Sequence, residues 1–381
     1  MKKINPVKRI TILIFIISST CIACAQQNES LIKAESPTDI KYSTEIVVPD
    51  IPIAWGMAFL PDNSLLITEK SGDLIHYKNG LKTSIEEVPE IYVRGQGGFL
   101  DIKLHPDYES NGWIYMTYGS ADGDGDGGNT TLMRAKLVEN TLVDKEVLYK
   151  AVPNTKKGQH WGSRITFDNE GYLYFSVGDR GNRDVNPQDI TRDGGKIYRL
   201  YDDGRIPEDN PFFDDENAKK AIYSYGHRNP QGLTTNPMTG EIWENEHGPR
   251  GGDEINIIKK GKNYGWPIIS YGINYDGTTF TDLTEKEGME QPLFYWVPSI
   301  APCGMTFVSS DVYPDWKGDL LVGSLKFSYL ERLVLENNKV VKREKLIENL
   351  GRIRNVIQGP DGYIYVAVEG KGIVKIIPNE S

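Results

Sequence analysis

Residues 356–370 read VIQGPDGYIYVAVEG, in which two alternating segments flank a turn of Gly, Pro and Asp. Successive side chains of a β-strand point to opposite faces, so an apolar–polar alternation is typical of a half-buried strand. Gly, Pro and Asp supply the backbone angles that tight turns require. The stretch therefore predicts a β-hairpin.

Five more stretches repeat this plan along the chain. They are GMAFLPDNSLLITEK from residue 56, FLDIKLHPDYESNGWIYMTYG from 99, RITFDNEGYLYFSVGD from 164, GLTTNPMTGEIWENEHG from 232 and GMTFVSSDVYPDWKGDLLVGS from 304. Six repeats of one hairpin unit predict an all-β fold, a six-bladed β-propeller. The alternative is a β-sandwich, whose strands would not repeat one turn phrase six times. Residues 41–378 contain no linker and are predicted to form one domain, with KYSTEIVVP (41–49) as the outer strand of the last blade.

The N-terminal residues differ from the rest of the chain. A basic segment, MKKINPVKR, precedes the apolar run ITILIFIIS and the small residues CIACA. This order is typical of a secretory signal peptide, and the apolar run is too short to be a transmembrane helix. Residues 1–24 are predicted to be a lipoprotein-type signal peptide with Cys24 lipidated, followed by a polar tether over 25–40. Cleavage after Ala25, which would give a soluble exported protein, is the alternative. Either outcome places the protein in the periplasm or cell envelope.

Charge and cysteine content narrow the class of function. The chain of 381 residues has a net charge of −10, which becomes −14 once the leader's four basic residues are removed. So acidic a protein is a poor candidate for binding nucleic acid. Cys303 is the one cysteine outside the leader, so an intrachain disulfide is not expected.

Several loop phrases are too polar and too specific to be turns alone. They contain Gln96 in GQGGFLD, His160 in QHWGSR, Arg228 and Asn229 in YGHRNPQGL, Lys326 in GSLK, and Arg352 and Arg354 in GRIRNV. Loops at one face of a propeller converge on the mouth of its central channel. A cationic cluster there suits an anion with several carboxylates. The alternative is that each arginine pairs with a nearby acid on the surface.

The phrases GHRNPQG, EHGPRGGDE, NYGWP and GSLKF together resemble the PQQ-dependent aldose sugar dehydrogenases, kin of the soluble quinoprotein glucose dehydrogenases. The resemblance covers essentially the whole mature chain. It implies a six-bladed propeller that binds pyrroloquinoline quinone (PQQ) and Ca²⁺. It also implies an oxidoreductase that converts the anomeric carbon of an aldose to a lactone, with the hydride passed to PQQ and the electrons to an unidentified external acceptor.

The same resemblance implies roles for individual residues. His160 would be the general base, and Arg228 would stabilise charge near the reactive carbonyl of the quinone. The cofactor would be held by Gln96, Asn229, Lys326, Arg352 and Arg354. Ca²⁺ at the cofactor would be bound by the carbonyls of Gly248 and Pro249, and a second calcium site by Glu254 with the carbonyl of Tyr264.

Two other functions remain open from the sequence. A calcium-dependent six-bladed lactonase would need a carboxylate or histidine but no arginine cluster, and a non-catalytic binding propeller would need no chemistry at all. Residues 122–127, DGDGDG, begin like an EF-hand loop, but Met133 stands where the bidentate acid belongs, so a mobile acidic loop is expected. Structural roles are expected for His76, His105 and His227. Cys303 and Asn355 stand where relatives more often carry other residues.

Overall fold

The computed structural model describes residues 32–36 and 42–379, besides residue 1. The predicted signal peptide, including Cys24, and most of the predicted tether lie outside the described residues. The described chain forms six sheets of four or five strands. The innermost strands of neighbouring sheets contact one another around a closed ring. The six-bladed β-propeller predicted from the hairpin repeat is confirmed.

The blades are numbered here in chain order, with strands given from the channel outward. Blade 1 consists of Ala54–Phe59, Leu65–Glu69, Leu74–Lys78 and Leu81–Ser84. Blade 2 consists of Phe99–Leu104, Trp113–Ser120, Asn129–Val138 and Thr141–Lys150. Blade 3 consists of Ile165–Phe167, Leu173–Val177, Lys196–Leu200 and Ile222–Tyr225.

The second half of the ring follows the same order. Blade 4 consists of Pro230–Thr235, Ile242–Glu246, Asp253–Ile258 and Phe294–Trp296. Blade 5 consists of Pro302–Phe307, Leu320–Ser324, Leu330–Glu336 and Lys339–Ile347. Blade 6 consists of Ile353–Gln358, Ile364–Val368, Gly372–Pro378 and, outermost, Tyr42–Pro49. Helix in the described part of the chain is limited to a single turn at Tyr108–Asn111 and a 3₁₀ turn at Pro314–Trp316. None of the described helices is long and apolar enough to span a bilayer.

The N-terminal part of the domain closes the ring, as predicted. Tyr42–Pro49 pairs antiparallel with Gly372–Pro378, so both ends of the domain share blade 6. A second N-terminal strand, Ala34–Glu35, adds in parallel to the outer edge of blade 5. The sequence predicts a polar tether at these two residues. They form a strand because the outer edge of a blade offers unpaired backbone groups, and Arg343 donates to the carbonyl of Ile32 beside them.

The apolar core lies between the blades. Strands near the axis are covered on both faces, and every side chain of Leu173–Val177 and Ile364–Val368 is buried. Separate apolar clusters fill the gaps between adjacent blades, including one built from blades 6 and 1 and another from blades 4 and 5. Burial on both faces accounts for the runs of consecutive apolar residues in the second strand of each hairpin unit.

A buried arginine joins the blades across the central channel. Arg164, at the start of blade 3, pairs with Asp101 of blade 2 at 3.1 Å and donates to the carbonyls of Gln231 in blade 4 and Arg354 in blade 6. Its guanidinium lies 4.0 Å from the ring centroid of Trp55 in blade 1. One side chain therefore satisfies polar groups that come from opposite sides of the ring.

We expect Arg164→Met to destabilise the fold by about 3–5 kcal/mol, because the substitution leaves the Asp101 carboxylate buried without its partner. The matched control is Arg205→Met, whose exposed pair with Asp203 should contribute little to stability because solvent screens it. Urea titration followed by tryptophan fluorescence measures both. Equal midpoints for the two variants at unchanged m-value would contradict the role given to Arg164.

Candidate active site

The polar loop residues lie together at the end of the channel where the innermost strands begin. Gln96 lies shortly before Phe99, His160 before Ile165, and Arg228 and Asn229 directly before Pro230. The loops touch one another: the backbone N–H of His160 donates to Oε1 of Gln96 at 2.8 Å, and the N–H of Asp179 donates to the carbonyl of Arg228 at 2.7 Å. The structure thus brings the predicted base, Gln96 and the Arg228 loop into one place.

His160 is held in a defined orientation by a buried carboxylate. Its Nδ1 lies 2.7 Å from Oδ1 of Asp179, and the backbone is in the left-handed region with φ of 55°. Asp179 is itself fixed, because Trp266 Nε1 and the N–H of Gly181 donate to its two oxygens. A carboxylate at Nδ1 keeps the proton there and leaves the lone pair on Nε2. Nε2 has no hydrogen-bond partner among the described residues, so it is available to a substrate.

The surroundings of His160 favour the neutral imidazole. Burial lowers its pKa, the charge of Arg228 lowers it further, and Asp179 opposes both effects. The net direction is below the ordinary value for histidine, so the ring is uncharged near pH 7. A neutral imidazole with a fixed proton on Nδ1 can accept a proton at Nε2.

Arg228 is a buried cation that pairs with no acid of the described chain. Its Nη1 donates to the carbonyl of His247 at 2.8 Å, and its guanidinium lies 5.2 Å from the ring centroid of Trp266. Its buried Nε makes no hydrogen bond with the described residues. No ion pair involves Arg228 within residues 42–379. Its charge and one of its donors are therefore free to act on a ligand.

Asn229 and His247 support the loop around Arg228. Oδ1 of Asn229 accepts from the N–H of Gly162, two residues beyond His160, at 3.2 Å. His247 places Nε2 2.8 Å from the carbonyl of Pro302 in blade 5. Burial, together with the charge of Arg228, lowers the pKa of His247 to about 3. A histidine so strongly held neutral serves here as a hydrogen-bonding bridge between blades.

The other predicted cofactor-binding cations, Lys326, Arg352 and Arg354, lie together, but among the described residues only the two arginines pair with an acid. Arg352 and Arg354 both pair with Glu369, which lies between them. Arg352 also donates to the carbonyl of Leu325 at 2.9 Å, which ties it to the Lys326 loop. Lys326 is exposed, and its ammonium lies 5.0 Å from the ring of Phe327 with no ion pair to any described residue. Two arginines sharing one carboxylate leave the cluster with a net positive charge.

The Gly248–Pro249 loop presents backbone oxygen atoms. The N–H of Gly248 donates to Asp253 at 2.8 Å, and the other oxygen of Asp253 accepts from Ser299, Ile300 and Ala301. A Cβ at Gly248 would lie 2.3 Å from the carbonyl oxygens of Gly251 and Gly252, so this position requires glycine. Among the described residues, no hydrogen bond reaches the carbonyls of Gly248 or Pro249.

The second predicted calcium site consists of Glu254 and the carbonyl of Tyr264. The carboxylate of Glu254 lies 3.3 Å from Nδ2 of Asn256, and the ring of Tyr264 stacks on His227 with 4.6 Å between centroids. No hydrogen bond reaches the carbonyl of Tyr264 within residues 42–379. The assignment of Glu254 and Tyr264 to a calcium site stays a prediction.

The other residues discussed in the sequence analysis make contacts that a structural role explains. His105 lies against Phe167 and Tyr115, and His76 bonds Ser64 on blade 1. The DGDGDG segment is exposed. Cys303 is buried behind the cationic cluster and donates to the carbonyl of Arg354, and Asn355 caps the N–H of Val356.

Comparisons with known proteins bear on this arrangement. Residues 50–375 match the family model described as Glucose / Sorbosone dehydrogenase. The chain belongs to the glucose/sorbosone dehydrogenase family. Aldose sugar dehydrogenase YliI of Escherichia coli is 40% identical over 346 residues, which cover 88% of this chain and 93% of that protein. The resemblance found in the sequence is thereby confirmed.

Solved structures of this family have the same fold. The apo form of the E. coli soluble aldose sugar dehydrogenase is 38% identical, superposes with a TM-score of 0.84, and covers 89% of this chain and 100% of that one. The PQQ-bound form of an aldose sugar dehydrogenase from Streptomyces coelicolor is 26% identical with a TM-score of 0.72, covering 89% and 99%.

Sequence reasoning missed three residues that organise this dehydrogenase site. Asp179, His247 and Glu369 all stand within or directly after the repeated hairpin stretches. Asp179 could have been found, because an acid that directly follows the second strand of a hairpin unit lies at the same end of the blade as His160. Glu369 occupies the corresponding place in blade 6. His247 lies in the quoted phrase EHGPRGGDE, but no local pattern shows its partners, which come from two other loops.

We expect the pKa of His160 to move in opposite directions in two variants. Asp179→Asn should lower it further, because the carboxylate favours the protonated ring. Arg228→Gln should raise it, because a positive charge disfavours the protonated ring. A pH titration of imidazole ¹H–¹⁵N NMR signals measures both, with His76 as an internal reference. Shifts of the same sign would contradict the arrangement described above.

Proposed function

We propose that the protein is a PQQ-dependent aldose sugar dehydrogenase that oxidises the anomeric carbon of an aldose to the lactone. The observation that carries this proposal is a neutral His160, oriented by Asp179, beside Arg228, a buried cation with no acidic partner. Membership of the glucose/sorbosone dehydrogenase family supports it, as does the PQQ-bound structure of a relative.

The residues present suit PQQ, the cofactor that the family resemblance implies, which carries three carboxylates. Lys326 has no acid partner among the described residues, and Arg352 and Arg354 share one. These three side chains would hold cofactor carboxylates through charge-assisted hydrogen bonds. Arg228, with its unpartnered Nε, would lie with Gln96 and Asn229 around the reactive part. When bound, PQQ would supply the hydride acceptor that no amino-acid side chain provides.

The same loops suit Ca²⁺. The carbonyls of Gly248 and Pro249 accept no hydrogen bond from the described residues, and hard cations prefer oxygen ligands. These two oxygens would bind Ca²⁺ beside the cofactor. Glu254, with the carbonyl of Tyr264, would bind a second Ca²⁺ that ties the third strand of blade 4 to the loop following it.

The chain's own residues account for the proton transfer. Nε2 of His160 accepts the proton of the anomeric hydroxyl as the hydride leaves the same carbon. Asp179 stabilises the imidazolium that forms, and the hydrogen bond from Trp266 keeps Asp179 ionised and in place. Because the carboxylate of Asp179 is buried, the Nδ1–H keeps its hydrogen bond to Asp179 in both the neutral and the protonated ring. Release of the proton to solvent returns His160 to its neutral form.

We also propose that the protein is exported, because its N-terminal sequence has the order of segments that is typical of a secretory signal peptide. We take the protein to reach the periplasm or cell envelope and to be held there by a lipid on Cys24, which lies outside the described residues. The external electron acceptor is then a component of the same compartment.

The deciding experiment is reconstitution. Purified protein freed of cofactor is mixed with PQQ and Ca²⁺, and dye reduction is followed with a panel of aldoses. Sugar-dependent reduction that requires both additions supports the proposal. Lactone hydrolysis that needs Ca²⁺ alone would instead identify a lactonase, and saturable binding without turnover would identify a binding propeller.

His160→Ala should lower kcat roughly 10²- to 10⁴-fold while PQQ still binds, because this is the usual contribution of a general base. His76→Ala serves as the matched control, since His76 lies on blade 1 and bonds Ser64. Steady-state dye reduction at saturating PQQ measures turnover, and quinone absorbance measures binding. Near-normal turnover in His160→Ala with cofactor bound would remove His160 from the mechanism.

Lys326→Ala should weaken PQQ binding by about 10- to 150-fold, which corresponds to the loss of one charge-assisted hydrogen bond of roughly 1.5–3 kcal/mol. Lys317→Ala is the control, because Lys317 is exposed and pairs with Asp311. The half-point of reconstitution against PQQ concentration reports affinity, and activity should recover at saturating cofactor. Identical half-points for the two variants would mean that Lys326 does not contact the cofactor.

A further inference from the structure

A group of buried ionisable side chains lies behind the loop that carries Arg228 and Asn229, where blade 4 packs against blade 3. It consists of His227, Glu244 and Glu246, called the seam cluster below. One ligand atom from each residue lies within 4.8 Å of the other two. All three side chains are buried, with Glu244 and His227 at 0% exposure. Glu254, proposed above as a calcium ligand, stands directly opposite Glu246 on the next strand and shares the amide of Asn256 with Glu244, but it is not one of these three residues.

Strand alternation assembles the seam cluster. Glu244 and Glu246 are two residues apart on the strand Ile242–Glu246 and therefore point to the same face. Asn256 stands directly opposite Glu244 on the next strand. His227 lies in the loop that leads from blade 3 into blade 4, and its ring covers the same face.

Two buried oxygen atoms of this region find no hydrogen-bond partner in the described part of the chain. They are Oε1 of Glu244 and Oδ1 of Asn256, although the Nδ2 of Asn256 donates to Oε2 of Glu244 at 3.1 Å. Within residues 42–379, no lysine or arginine forms an ion pair with Glu244 or Glu246. Burial of carboxylates without compensating positive charge is strongly unfavourable. The region therefore presents acceptor atoms and negative charge in excess of what the protein itself satisfies.

The placement of His227 suits a metal ligand. Its Nδ1 lies 3.3 Å from Oε1 of Glu246, and its Nε2 lies 2.9 Å from Oγ of Ser224. Two ligands bound to one ion at about 2.0–2.2 Å are separated by roughly 3–3.5 Å. Histidines that bind metals commonly donate their other ring N–H to an oxygen, as Nε2 can do to Ser224.

We propose that the seam cluster binds one divalent transition-metal ion of the Zn²⁺ or Mn²⁺ class. Its ligands are Nδ1 of His227 and the carboxylates of Glu244 and Glu246, with the amide oxygen of Asn256 as a fourth donor. A nitrogen ligand selects these ions over Ca²⁺, which takes oxygen ligands.

The ion has a structural consequence for the active site. Oε2 of Glu246 accepts the backbone N–H groups of Arg228 and Asn229. Binding through the other oxygen of the same carboxylate fixes the loop that carries these two residues. The seam cluster thus couples a buried metal to the rigidity of the cofactor-facing loop.

The test uses full-length protein stripped with EDTA, with neither PQQ nor sugar present, so its failure and that of the proposed function are distinguishable. Protein is loaded with Zn²⁺, desalted and analysed by mass spectrometry of the metal content. We expect the wild-type protein to retain one more zinc ion per chain than Glu244→Gln. We also expect zinc loading to raise the Tm of the wild type by roughly 5 °C. Glu69→Gln is the matched control, because Glu69 is a buried glutamate of blade 1 that bonds Ile53 and Ser71. Glu254→Gln should also retain the zinc.

Three results would overturn the proposal. The first is equal zinc content in wild type and Glu244→Gln. The second is a Tm rise in wild type with Ca²⁺ but not Zn²⁺ that Glu244→Gln abolishes, since His227 would then not be a ligand. The third is a wild type that retains no zinc, a result that needs no variant and stands even if Glu244→Gln fails to fold.

Discussion

The buried guanidinium of Arg164 is the interaction on which the arrangement of the ring depends. Consecutive blades are linked by the chain, but the last blade meets the first without a covalent link other than the outer strand Tyr42–Pro49. Arg164 adds a polar tie at the axis, where it reaches Asp101, Gln231 and the carbonyl of Arg354. Arg354 also belongs to the cationic cluster, so the hydrogen bond to its carbonyl fixes the backbone of a residue that we propose holds the cofactor.

Buried carboxylates hold the active-site loops in the same manner. Asp179 accepts hydrogen bonds from the side chains of His160 and Trp266 and from a backbone N–H. Asp253 accepts four hydrogen bonds from the loops that contain Gly248 and Ser299. Each acid is saturated by donors, so neither competes for the free cations at the mouth. Arg228 and Lys326 therefore keep charge available for a ligand, whereas Arg352 and Arg354 are held in place by Glu369.

The family match and the geometry of the site support the same type of chemistry. The match to glucose/sorbosone dehydrogenases covers residues 50–375 and identifies the kind of chemistry. The hydrogen bond of His160 Nδ1 to Asp179 leaves the other ring nitrogen available, as the proposed role of proton acceptor requires. The seam cluster lies behind the loop of Arg228 and Asn229, and so extends the site from the surface of the propeller into its interior.

The number of blades, the closing strand and the loops that carry His160, Arg228 and Lys326 could be predicted from the sequence, because hairpins and turns are formed by consecutive residues. The pairing of the charged side chains could not be predicted, because it depends on how the blades pack. Glu369 meets two arginines from a strand elsewhere in blade 6, Asp179 meets His160 from the far end of a hairpin, and Glu244 meets His227 across a blade boundary. Electrostatic partners act through space, so the distance between two charges is fixed by the packing of the blades rather than by their separation along the chain.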